Sequence, residues 1–153
     1  MRPMTAEERT TWIAESQDDY VARRAKAGEP EEVARRTVEE QHASYFPDGR
    51  PAPGHELMVF EDGGARVGRV WVGPHPMHPD APEAAWVYNI EIDEPFRGRG
   101  FGRAGLTAVE AHLSRAGVVE VGLNVFGDNH AARRLYTTSG YDEYAITMEK
   151  KLR

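Results

Sequence analysis

The stretch Arg97-Gly98-Arg99-Gly100-Phe101-Gly102-Arg103-Ala104-Gly105 packs three arginines and four glycines into nine residues. No acid lies between Phe96 and Arg103, although the whole chain carries a formal net charge of −6. Glycine lets backbone amides approach an anion without interference from a Cβ, and Arg97, Arg99 and Arg103 are candidates to supply charge. The chemistry to expect is phosphate binding. Two patterns overlap. Gly100 to Gly105 fits G-x-G-x-x-G, the dinucleotide-binding fingerprint. Arg97 to Gly102 fits another, an arginine three residues ahead of G-x-G, which wraps the pyrophosphate of a different cofactor. A plain glycine turn with incidental arginines is the third reading.

The elements around the turn separate the first two. A dinucleotide fold wants its first glycine directly after a strand, and an acid about twenty positions on. Here Asp93-Glu94-Pro95-Phe96-Arg97 intervenes after a strand that ends near Ile92. Only 48 of the 153 residues follow Gly105, too few for the remainder of a doubly wound sheet. A helix from about Gly102 to Ala116, with Leu106, Val109 and Leu113 on one face and Gly117 closing it, instead points its free N–H groups and positive dipole end at the turn.

Elsewhere the pattern is αα then ββ. Thr5-Ala6-Glu7-Glu8 reads as a capping box. Trp12, Ile13, Tyr20, Val21 and Arg24 then recur at helical spacing as far as Gly28. A second helix starts at Pro30, with a weak stripe of Ala34, Val38, Gln41 and Tyr45. Apolar runs on either side of Asp62-Gly63-Gly64 predict a hairpin, and four of the ten prolines make 74–82 an irregular loop. Strands are expected over 86–92, 118–126 and about 144–152, with a helix capped by Asp128 or Asn129 and lined by Ala132, Leu135, Tyr136 and Ser139. The fold class is α/β (α+β), in one domain over 1–153.

Residues 89–152 resemble the GCN5-related N-acetyltransferase (GNAT) family. The likeness has three parts in order: Tyr88-Asn89-Ile90-Glu91-Ile92 leading into Arg97-Gly98-Arg99-Gly100-Phe101-Gly102; then Val121-Gly122-Leu123-Asn124-Val125; then Asn129-His130-Ala131-Ala132-Arg133-Arg134-Leu135-Tyr136 with Gly140-Tyr141. The resemblance implies a mixed, mostly antiparallel sheet splayed at a cofactor cleft and flanked by about four helices, with helices about 5–46 shaping the acceptor side. It implies acetyl-CoA as co-substrate, direct transfer of acetyl to an amine-bearing acceptor, and backbone pairing of Ile90 and Ile92 with pantetheine. Gly98, Gly100, Phe101 and Gly102 would hold the diphosphate with the three arginines. Asn129 and Ala132 would contact the cofactor, as would Tyr136, whose phenol would protonate the departing thiolate. Asn124 is a further candidate to face it. Glu91 shares a strand face with Asn89 and would take the acceptor's proton, directly or through water; a solvated or ion-paired strand carboxylate is the alternative.

Other classes fit less well. There is no cysteine, so a cysteine nucleophile is excluded. His75 and His78 sit on irregular, proline-rich backbone, and no metal is expected there; His42, His55, His112 and His130 read as surface residues. The negative charge disfavours nucleic acid and membrane as partners. No signal segment or apolar span is legible, so a cytoplasmic location is expected; a homodimer stays open. An acyl-CoA-binding module without catalysis is the rival function.

Overall fold

The computed structural model describes residues 1–26, 28–148, 150 and 152. It divides into two compact units, Met1–Leu123 and Asn124–Arg153.

The larger unit runs β1 (Arg2–Pro3), α1 (Ala6–Lys26), α2 (Glu31–Tyr45), β2 (Glu56–Asp62), β3 (Ala65–Pro74), β4 (Ala84–Ile92), α3 (Phe101–Arg115) and β5 (Glu120–Leu123). Its sheet has the order β1-β2-β3-β4-β5. Neighbours are antiparallel except β4 and β5, which are parallel. The expected hairpin is there: Asp62 opposes Ala65 across Gly63 and Gly64, both at positive φ, as a two-residue turn requires.

Alternation along β2 explains the two faces. Leu57 and Val59 pack with Trp12, Phe46 and Trp71 beneath the N-terminal helices. Met58 and Phe60 pack with Val70, Val87, Val109 and Leu113 on the α3 side. Gly105 allows α3 to press close, since a Cβ there would meet the Phe60 ring at 3.1 Å. The capping box closes reciprocally: Thr5 N–H donates to Glu8 Oε2 (2.8 Å) and Glu8 N–H to Thr5 Oγ1 (3.2 Å). Hydrogen bonding to Arg2, then to the Thr5 amide, draws the Glu8 carboxyl down to about 2.

Several expectations need correction. In α1 the buried residues are Trp12 and Val21, while Tyr20 stays exposed under the Arg24 guanidinium. In α2 they are Ala34, Val38 and His42; Gln41 is exposed. His42 belongs to an aromatic cluster with Phe46 and Trp71. His55 is half-buried, its Nδ1 accepting from Trp71 Nε1–H at 3.0 Å. Burial lowers the pKa of both imidazoles, so these two are not surface histidines. β5 is shorter than expected and ends at Leu123, leaving Asn124 outside it and exposed.

The smaller unit carries α4 (His130–Thr137). Asn129 caps it, with Oδ1 accepting from Ala132 N–H at 3.1 Å. The expected final strand is absent from residues 144–148, where Tyr144, Ile146 and Met148 are exposed. Glu149 and Lys151 of that expected strand lie outside the described residues. Among the described residues no helix is long and apolar enough to cross a membrane.

Candidate functional site

β4 leads the chain into the site, and its pairing changes halfway. The parallel ladder to β5 covers only Ala84 to Val87, opposite Glu120 to Leu123. On the β3 side the register shifts there too: Val72 opposes Val87 but Trp71 opposes Asn89, so Tyr88 is an extra, bulged residue. Its ring stacks on Trp71 with centroids 4.4 Å apart. Burial pushes the Tyr88 phenol up to about 12.

Beyond the bulge, the ladder fixes which backbone groups are open. Ile92 opposes Gly68, while Asp93 N–H donates to Val67 O at 2.9 Å. That makes Ile92–Gly68 a non-hydrogen-bonded pair of the antiparallel ladder. The N–H and C=O of Ile92, and of Ile90 two residues back, therefore point away from β3, along an edge that β5 does not reach. An extended amide chain could pair with those groups as a strand would.

A one-turn helix, Glu94–Phe96, then turns the chain toward α3. Gly98 (φ 71°) and Gly100 (φ 86°) are left-handed, a conformation costly for other residues. Gly100 is the N-cap of α3 and offers no side-chain oxygen to the first-turn amides. The N–H groups of Phe101 and Gly102 thus lie at a positive helix end whose N-cap makes no side-chain hydrogen bond, suited to a phosphate. Arg99 sits over the rings of Phe96 and Phe101, 5.6 and 5.4 Å from their centroids. Arg97 turns the other way, its Nε donating to Ile92 O at 2.9 Å.

Glu91 is ion-paired, as the alternative to a base role allows. Oε2 lies 3.3 Å from Arg69 Nη2, and Oε1 lies 3.6 Å from Arg97 Nη2. Arg69 also bonds Glu15 of α1 at 2.8 Å, tying that helix to the end of the sheet. A cleft of about 250 Å³ opens here, lined by Glu7, Glu8, Thr11, Glu15, Arg66 and Arg69. The Asn89 Oδ1 is buried without a hydrogen-bond partner among the described residues.

The structure therefore gathers Ile90, Glu91, Ile92, Arg97, Gly98, Arg99, Gly100, Phe101, Gly102 and Arg103 at one end of β4 and the start of α3. Asn129, Ala132 and Tyr136 belong to the smaller unit. Within it the Tyr136 and Tyr141 rings lie 5.7 Å apart, and burial raises the Tyr136 phenol above its ordinary value. His75 is buried edge-on against Trp86, 4.8 Å between centroids. No metal-binding group of carboxylates and imidazoles occurs among the described residues.

A parallel pairing that ends at Val87, a strand edge that β5 does not reach and a glycine turn at a helix start coincide with a sequence match. The model of the Acetyltransferase (GNAT) family matches residues 7–141. The chain belongs to the GNAT family. It is an N-acetyltransferase. The Bacillus subtilis (strain 168) N-acetyltransferase YycN is 30% identical across 99% of this chain and 97% of its own. The crystal structure of YycN superposes with a TM-score of 0.87 at 28% identity, covering 99% and 97% of the two chains. A mycothiol acetyltransferase of Kocuria rhizophila is 34% identical over 83% of this chain, which spans 42% of that longer relative. At 16% identity and a TM-score of 0.54, covering 82% of each chain, AAC(6')-Iy in complex with the bisubstrate analogue CoA-S-monomethyl-acetylneamine shares the GNAT fold.

Proposed function

We propose that this GNAT protein moves acetyl from acetyl-CoA directly to a primary amine of a small molecule, peptide or protein. One observation carries the reading: the Ile90–Ile92 edge, which β5 does not reach, leads through a short turn to a glycine-capped, arginine-rich helix start. The first offers amide pairing to a pantetheine arm and the second offers donors to a diphosphate.

Bound acetyl-CoA would supply an activated acetyl thioester. The remaining work falls to the chain. Backbone N–H groups from Gly98 to Arg103 hold the diphosphate, with Arg97, Arg99 and Arg103 adding charge. Backbone of Ile90 and Ile92 aligns the arm, and one N–H there polarises the thioester carbonyl. Asn129 and Ala132 provide further cofactor contacts. In the transfer a C–N bond forms, a C–S bond breaks, the amine loses a proton and the thiolate gains one. Glu91 receives the first proton, directly or through water, and Tyr136 donates the second. The N-terminal helices shape the acceptor side, where the cleft beside Arg69 has both carboxylates and guanidinium groups.

The test is a broad amine panel with acetyl-CoA, following thiol release. The account expects turnover with at least one amine class. Stabilisation by CoA without thiol release from any amine would contradict transfer and leave a binding module.

A further inference from the structure

Arg97 engages two groups that the proposed reaction uses. Its Nε holds the carbonyl of Ile92 at 2.9 Å, on the strand edge assigned above to the pantetheine arm. Its Nη2 stands 3.6 Å from Glu91 Oε1, on the carboxylate assigned to receive the acceptor's proton. The backbone of Arg97 is fixed, closing the Glu94–Phe96 turn with its N–H on Glu94 O at 3.2 Å. The side chain is 58% exposed.

The two anchors are unequal to what a diphosphate offers. The carbonyl is neutral and the Glu91 contact is long and partly exposed, so each holds a guanidinium less strongly than an anionic phosphate would. Phosphate oxygens accept charge-assisted, bidentate bonds from a guanidinium. The glycine turn that would present them begins at the very next residue, Gly98.

We propose that Arg97 is a positioning residue that caps the Ile92 carbonyl and restrains Glu91 until a diphosphate at the glycine turn draws its guanidinium away. This rests on the cofactor reading above. Binding at the turn and opening of the strand edge are then one event. A ligand that pairs with the edge but lacks the diphosphate must displace Arg97 unaided. Once Arg97 leaves, Glu91 keeps Arg69 as its guanidinium partner.

The experiment compares two probes by calorimetry and NMR titration: CoA, and pantetheine, which has the amide arm and no diphosphate. In Arg97→Ala, CoA affinity falls about tenfold, the value of a charged hydrogen bond, while pantetheine affinity rises about two- to tenfold as the cap is removed. Opposite signs for the two ligands are the signature. Arg97→Gln is expected to shift both in the same directions more weakly, and keeps the test open if the alanine variant misfolds. Pantetheine affinity unchanged or reduced in both variants, or pantetheine binding to neither, overturns the proposal. A wild-type protein that fails to bind CoA overturns the cofactor reading instead, so the two failures are separable.

Discussion

Tyr136 meets the requirements of a proton donor in its ionisation. Burial raises its phenol above the ordinary 10, so it stays protonated throughout the neutral range. Tyr136→Phe is expected to keep CoA affinity and lower kcat by about a hundredfold or more, the scale of a general acid. Unchanged turnover would remove that role. Glu91 is a different case, because it lies between the guanidinium groups of Arg69 and Arg97 at the end of β4. Glu91→Gln is expected to lower kcat/KM and flatten the acidic limb of its pH profile. An unaltered limb would mean that the amine's proton leaves by water. Sequence alone put Glu91 on one strand face with Asn89 but gave no sign of its partners. Both arginines are remote in a linear reading: Arg69 is brought in by strand register, and Arg97 folds back five residues onto Ile92.

At the scale of elements, the turn between β4 and α3 combines two constraints on one residue. Gly100 is left-handed at φ 86°, and its N–H-rich surroundings are open, since a Cβ built there meets nothing within 4 Å. Gly100→Val should thus be felt through backbone strain, of about 1–2 kcal/mol, and through obstruction of an approaching phosphate, not through a clash within the protein. The expected outcome is a modest fall in thermal midpoint and loss of the CoA-dependent thermal shift; a full shift in the variant would dissociate the turn from binding. This element, the Thr5–Glu8 capping box, the Asp62-Gly63-Gly64 hairpin and the Asn129 cap were all legible, because each is specified by residues a few positions apart. β1 was not: two residues, one of them Pro3, have no period to detect, and they form a strand only by pairing with Met58 and Val59. In α2, Val38 lies seven residues before Tyr45 and four before His42, so spacing allowed a stripe through either. Side-chain polarity argued for an exposed His42, and the tertiary cluster with Phe46 and Trp71 overrode it.

For the molecule as a whole, the family assignment rests on features that survive without any one side chain. In a mixed five-stranded sheet, parallel only where β4 meets β5, that parallel pairing stops at Val87 and leaves a strand edge beside a helix start. The sequence motif predicts the glycine turn and the strand leading to it. It does not place the bulge at Tyr88, which depends on how β3 and β4 register across a long connection. The anticipated final strand shows the converse: alternation through Tyr144, Ile146 and Met148 is a sufficient pattern for a strand, yet residues 144–148 pair with nothing among the described residues. The central claim is that backbone donors at the start of α3 grip the diphosphate of CoA. Amide chemical shifts of the labelled protein, followed during a CoA titration, test it most directly. The account predicts the largest shifts at Gly98, Gly100, Phe101, Gly102 and Arg103, with Ile90 and Ile92 following. Saturable binding that leaves those amides unmoved, or no binding at all, would contradict it.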